Sequence, residues 1–214
     1  METSSTPTRS RGRPAKMAAP EAVATALRLV DEEGLDALTM RRLATALGVQ
    51  VGTLYRHFAT KQDLLTAMAE EMLAGCADPP PDQDTWQEQV IELAGRLRAA
   101  LLRRRDGARI YAGTHAAGPN TLAYAEALVG VLRGAGRSAE SAARSTLAIV
   151  HFTLGHTLEE QAVGSAADGA AGGLYAALEP GRYPNLAAAA ATLTSADYAR
   201  HFAHGLDLLV RGLG

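Results

Sequence analysis

Several absences bound this chain of 214 residues before any motif is read. It has one cysteine, Cys76, so an intrachain disulfide is excluded and a small buried side chain is the expectation there. No apolar run approaches the ~18 residues that a membrane span needs, and the opening residues are too polar for a secretion signal. A cytoplasmic protein is the expectation. Alternating β-branched runs are missing while alanine and leucine dominate, which predicts an all-α fold. HExxH, cysteine pairs, a glycine-rich phosphate loop and a GxSxG elbow are all lacking, so an enzyme is not expected. His201 and His204, and His156 and Glu159, stand three residues apart, but zinc requires a third ligand and an open position. A helix-surface or interface role is expected for His201 and His204. Neither a metal nor a cofactor is expected.

The strongest positive signal is residues 38–61, LTMRRLATALGVQVGTLYRHFATK. It predicts two short helices joined by a tight turn. The first runs over 39–47 with Thr39 as N-cap and Leu43, Ala44 and Leu47 on one apolar face. Gly48 supplies the left-handed turn conformation that other residues reach only at a cost. The second, 50–58, hides Leu54 and Phe58 and leaves Thr53, Tyr55, Arg56 and His57 outward. Those groups are donors, acceptors and flat rings suited to base edges and phosphates in a major groove. An ordinary helical hairpin is the bland alternative.

The flanks agree with a DNA reader. Arg9, Arg11, Arg13 and Lys16 give four positive charges with no acid among them. The surrounding Gly, Pro and Ser predict a disordered arm over 1–17. Its Arg-Gly-Arg-Pro core is similar to an AT-hook, which would set Arg11 and Arg13 in a narrow minor groove; a solubilising tail is the alternative. A helix over 20–33 carries the stripe Val23, Ala26, Leu27 and Val30 and stops at Gly34. Thr60 to Asp63 reads as a capping box opening a helix to about residue 75, whose N-terminus together with Lys61 suits a phosphate. Residues 1–61 carry a net charge of +3 and the remainder −5. A basic head on an acidic body is a local nucleic-acid footprint that the whole-chain balance hides.

Asp78-Pro79-Pro80-Pro81-Asp82 cannot continue a helix and marks a hinge. Helices are expected over 84–104, 107–114, 120–134, 138–163, 186–193 and 195–212, with a flexible 164–173 and one turn near 175–178. The expected organisation is an arm (1–17), a helix-turn-helix DNA-binding domain (18–65) and a ligand-binding and dimerisation domain (66–214).

These residues carry a resemblance. LTMRRLATALGV, GTLYRHF and TKQDLL resemble the DNA-binding domain of the TetR family of one-component repressors. WQEQVIELAGRLRAALLRRRDGARIYAGT, HFTLGHTLEEQ and FAHGLDLLVRGL are similar, in order and at near-equal spacing, to the tetracycline-repressor subgroup. The resemblance implies a homodimer on a near-palindromic operator, released by a small-molecule effector. It implies DNA contacts from Arg41, Thr53, Tyr55, His57 and Lys61, completed by Thr39, Gln50, Val51, Gly52 and Arg56 around the reading helix. Arg56 stands where the tetracycline repressor has tryptophan, and Gln50, Val51 and Gly52 also depart from it, which implies a different operator. The implied effector site comprises Leu93, Leu97, Tyr111, Thr114, His115, Leu132, His151, Phe152, Gly155 and Glu159. Leu93, Leu97, Tyr111 and Ala77 replace an asparagine, a phenylalanine, the metal-binding histidine and a second histidine. That exchange removes the protein ligand for a hard cation and favours a more apolar, aromatic or polyketide effector over magnesium–tetracycline.

Ala142, Ala148 and Gly155 on one long helix, with Ala199, Ala203 and Gly205 on the last, are expected to form an isologous four-helix interface; intrachain core is the alternative. Arg103, Arg104, Arg105 and Asp106 read as a solvated face with one buried Arg–Asp pair, or as a DNA contact. In the subgroup this segment joins body to head. The switch expected is mechanical: the effector shifts 107–114, which pushes the helix beginning at Lys61. A constitutive or architectural DNA binder using the RGRP arm is the competing function.

Overall fold

The computed structural model describes residues 17–114, 117–165, 177 and 181–213. The expected arm with Arg11 and Arg13, His115, and most of the 164–178 segment lie outside the described residues. Among those described there are ten α-helices and no strand.

The head begins with α1 (Ala19–Glu33), whose Val23, Ala26, Leu27 and Val30 are buried as their helical spacing requires. A 3-10 turn (Leu35–Ala37) leads to α2 (Met40–Leu47). Thr39 Oγ1 accepts from the Arg42 N–H at 3.0 Å, and Gly48 ends α2 at φ 66°. α3 (Val51–Tyr55) is shorter than the expected 50–58. Its last turn tightens because the His57 and Phe58 N–H groups both donate to the Leu54 carbonyl at 2.9 Å, which brings Phe58 into the head core beside Leu54. α4 (Lys61–Met72) opens with the expected capping box, Thr60 and Asp63 exchanging bonds of 3.0 and 3.1 Å.

α4 links the head to the body. Leu64 and Met68 are fully buried, and the helix packs against α1 at one end and against α6 and α7 at the other. The body comprises α5 (Trp86–Leu102), α6 (Gly107–Tyr111), α7 (Pro119–Gly134), α8 (Ala139–Ser165), α9 (Pro184–Leu193) and α10 (Tyr198–Gly212). α5 opens on its own capping box, Thr85 with Glu88. It is the central helix, packing on α7, α8 and α10 through Val90, Leu93, Leu97 and Leu101, all fully buried. Each such leucine contributes about 2 kcal/mol of apolar burial. Most polar groups inside find partners, although Thr146 Oγ1 and His156 Nδ1 do not. The buried Thr153 and Thr157 hydroxyls donate one turn back to the Ile149 and Thr153 carbonyls at 2.8 and 2.7 Å. The buried Tyr124 hydroxyl donates to the Leu93 carbonyl at 3.1 Å, and burial pushes its pKa far above that of a free phenol. Cys76 is buried, and desolvation raises its thiol pKa too.

Candidate DNA interface and ligand region

The head sorts its cations by partner. Arg28 is tied to Glu32 at 2.8 Å and Arg42 forks onto the Glu33 carboxylate. Arg41, one residue earlier, has no ion pair among the described residues, and neither do Arg56 and Lys61. All three are exposed. So are Thr39, Gln50, Gly52, Tyr55 and His57, while Val51 and Thr53 are half-buried. Tyr55 exposes 50% of its surface, which leaves its ring open for contact. The described part of the expected DNA-facing set therefore lies on and around α2, α3 and the start of α4, its cations unpaired among the described residues. Arg42 is held by acid, and its bond holds Glu33 below the usual carboxylate range.

Acids crowd the C-terminal end of α1, where the helix dipole disfavours them: Asp31, Glu32 and Glu33. The body supplies the missing cations. Arg104 Nη1 reaches Asp31 Oδ2 at 2.7 Å, the Arg105 N–H donates to Asp31 Oδ1 at 3.0 Å, and Arg105 Nη1 donates to the Glu32 carbonyl at 3.2 Å. Asp106, in a left-handed conformation at φ 58°, accepts from the Leu35 N–H at 2.8 Å. Arg109 bridges Asp106 and Asp36, and depresses the pKa of Asp36. The Arg103–Asp106 run thus resolves into a clasp between the α5–α6 turn and the end of α1. Its value is geometric, because Asp36 and Arg109 are largely in water and exposed pairs add little stability.

Two further ties connect the body to itself and to α4. Gln161 on α8 accepts from the Ala108 N–H at 2.9 Å and donates to the Leu101 and Arg104 carbonyls at 3.2 and 2.9 Å. It satisfies orphan groups at the end of α5 and the start of α6. Glu70 on α4 does the same for α7. Its carboxylate accepts from the Asn120 N–H, from the Thr121 N–H at 3.1 Å and from the Thr121 hydroxyl at 2.6 Å. Asn120 Nδ2 returns a bond to the Glu70 carbonyl at 3.1 Å. α7 has no side-chain cap of its own and no acid in its first turn, so Glu70 caps it from another helix. Sequence reasoning missed both residues. Only the clasp had a local hint, an acid-rich α1 terminus whose counter-charges had to come from elsewhere.

The expected effector residues do not gather around one opening. Leu93, Leu97 and Leu132 are fully buried in close packing. Tyr111 and Thr114 are half-buried; Thr114 Oγ1 donates to the Tyr111 carbonyl at 2.7 Å, and desolvation raises the Tyr111 pKa. Phe152 stacks on Phe202 with ring centroids 5.6 Å apart. His151, Gly155 and Glu159 are exposed along one stripe of α8, with Leu147 and Ala148. Ala199, Ala203, His204 and Leu208 are exposed on α10. Of the six small residues expected at the subunit interface, Ala142 is instead fully buried within the chain, and Gly205 lies under Phe152, where a Cβ would meet the ring at 2.5 Å. A cavity of about 820 Å³ lies elsewhere, between the 77–81 linker, the first turn of α5 and α7. Among the described residues no three or more His, Cys, Asp or Glu side chains are placed so that they could hold a metal ion, and no helix is long and apolar enough to cross a membrane.

A three-helix core with exposed cations on a helix-turn-helix, joined by α4 to an all-α body, defines a DNA-binding regulator. The comparisons with known proteins agree. Residues 22–68 match the bacterial regulatory proteins of the tetR family, and residues 78–214 match the tetracyclin repressor-like C-terminal domain. The tetracycline repressor protein class C of Escherichia coli is 45% identical over 142 residues, which is 65% of this chain and 64% of that repressor's length. The crystal structure of a possible TetR family transcriptional regulator from Streptomyces coelicolor A3(2) is 53% identical, with a TM-score of 0.86, covering 92% of this chain and 98% of the other. The Streptomyces coelicolor TetR family protein ActR, in complex with actinorhodin, is 35% identical, with a TM-score of 0.81 over 93% of this chain and 96% of ActR. The chain belongs to the TetR family. It is a ligand-responsive DNA-binding repressor and not an enzyme.

Proposed function

We propose that two copies of this chain bind a near-palindromic operator in the cytoplasm and are released by an aromatic, polyketide-like effector. Residues 18–65 form the DNA-binding unit and 66–214 the effector-binding and dimerisation unit. The observation that carries the reading is the charge sorting on the head: Arg42 is committed to Glu33 while Arg41, Arg56 and Lys61 stay free for phosphates and base edges. The exposed stripes of α8 (Leu147, Ala148, His151, Gly155) and α10 (Ala203, His204, Leu208) supply a self-complementary face for a two-fold interface.

The effector class is supported by ActR, whose complex holds actinorhodin, and by the apolar Leu93, Leu97 and Tyr111 in the body. Those leucines are close-packed, so the effector enters by displacing α6 and widening the space between α5 and α8 at Tyr111, Thr114 and Phe152. The clasp at Asp106 and Arg109 moves with α6 and carries the displacement to α1, while α4 tilts the reading helix. The ligand shifts the equilibrium only by its differential affinity for the two states, and operator must weaken effector binding by the same factor. A mobility-shift assay on DNA flanking the protein's own gene, with actinorhodin-type quinones and with tetracycline plus Mg²⁺, tests this. Release by a quinone and not by magnesium–tetracycline supports it; operator binding that no aromatic compound relieves refutes the gating.

A further inference from the structure

Asp31, Glu32 and Glu33 close α1, and each holds one arginine: Arg104 at 2.7 Å, Arg28 at 2.8 Å and Arg42 through a fork of two bonds. Arg104 belongs to the clasp with the body, and Arg28 lies on α1 itself. Arg42 stands on α2, in the first turn that Thr39 caps and directly beside Arg41. Its side chain keeps 40% of its surface in solvent and that of Glu33 keeps 35%, so water screens much of their attraction. Nor does Glu33 suit its place for the sake of α1, since a carboxylate at a helix C-terminus opposes the dipole. What the fork does change is the number of cations the head offers to DNA. Residues 17–61 hold five Lys and Arg side chains, Arg28, Arg41, Arg42, Arg56 and Lys61. Arg41, Arg56 and Lys61 are unpaired among the described residues, and without Glu33 the adjoining Arg42 would join them.

We infer that Glu33 limits sequence-independent DNA binding by withholding Arg42 from the phosphates. The inference rests on the reading of α2 and α3 as the DNA-facing surface. Phosphate contacts carry no sequence information, and non-specific binding consists almost wholly of them. On an operator the base contacts already fix the register, so a surplus arginine gains less there. A genome offers about 10⁶–10⁹ competing sites, so the same arginine draws the repressor toward all of them. Glu33 acts through Arg42 and is a positioning residue. Releasing Arg42 adds one phosphate contact per head, which steepens the log–log salt dependence of binding by about 0.9 per head.

The test is a fluorescence-anisotropy titration of a labelled mixed-sequence duplex with the full-length protein, from about 50 to 200 mM salt. It requires no knowledge of the operator. Glu33→Gln keeps the shape of the side chain and removes its charge. Loss of a charge that opposes the α1 dipole should leave the melting temperature close to that of the parent. The expected result is a salt slope steeper by about 0.9 per head and an affinity about fivefold higher per head at the low-salt end. Arg42→Gln should keep the parent slope, and the double variant Glu33→Gln with Arg42→Gln should return to it. A parent-like slope in Glu33→Gln would overturn the inference. So would a steepened slope in the double variant, because Glu33 would then act on DNA without Arg42. Arg41→Ala, titrated alongside, should flatten the slope by about one. If it does not, the reading of α2 as DNA-facing fails and takes the inference with it; if only the Glu33 variants disagree, that reading stands.

Discussion

Removing the Glu70 carboxylate should loosen α7 at its N-terminus by a calculable amount. In Glu70→Ala, the N–H groups of Asn120 and Thr121 and the Thr121 hydroxyl lose their acceptor. An N-cap is worth about 1 kcal/mol, and bonds to a charged acceptor about 1.5–3 kcal/mol. Because the site is half-buried and water replaces part of the loss, the expected cost is about 2–3 kcal/mol, or roughly 4–12 °C for a chain of this size. Gly118 offers an independent handle, since a Cβ there would lie 2.5 Å from the Glu70 carboxylate carbon. The relief available to Gly118→Ala is to swing that carboxylate away, which forfeits the same cap. The double variant should therefore cost little more than either single one, with a coupling of at least ~1 kcal/mol. Melting is read at fixed protein concentration, because the proposed dimer makes the midpoint concentration-dependent. Hydrogen exchange should quicken at Asn120 and Thr121 first. Additive costs within ~0.5 kcal/mol, or unchanged exchange at those amides, would refute the cap.

Other outcomes follow from the same contacts. Arg41→Ala should weaken operator binding about tenfold and lower the salt slope by about one, with no change in melting, whereas Arg42→Ala should chiefly disturb the head; the reverse ranking would reject the charge sorting. Gly205→Ala forces a methyl into the Phe152 ring and should cost about 1–3 kcal/mol by overpacking, measured by urea unfolding. His156 is half-buried among Phe152, Tyr198 and Phe202, and desolvation lowers its pKa from the ordinary 6.5. Glu160 faces it at 4.0 Å and opposes that shift, while Arg98 and His201 reinforce it. The unfolded chain then binds this proton more readily than the native one, so stability falls as pH drops below about 6.5 toward the depressed native value. His156→Gln should flatten that part of the melting profile; identical slopes for variant and parent would count against the buried neutral imidazole.

What the sequence determined by itself was whatever depends on neighbours within one turn. Thr39 caps α2, Gly48 turns left-handed and Thr60 boxes with Asp63 because each bond spans three residues or fewer, so the residue types and spacing suffice. The α1 stripe and the inward Leu54 and Phe58 follow from helical period against a single core. The family was also legible, since its motifs lie along contiguous segments. Helix ends were less so: α3 stops at Tyr55 because Phe58 is drawn beneath the head, a packing demand that propensity does not contain. Tertiary structure alone decided which alanine and glycine face inward on α8 and α10, because small residues occupy every side of those helices and leave no contrast to read. It alone paired Glu70 with Thr121, Gln161 with Ala108 and Asp31 with Arg104, across separations of 51, 53 and 73 residues. Such contacts form only when the whole chain has folded, and no local pattern names the partner.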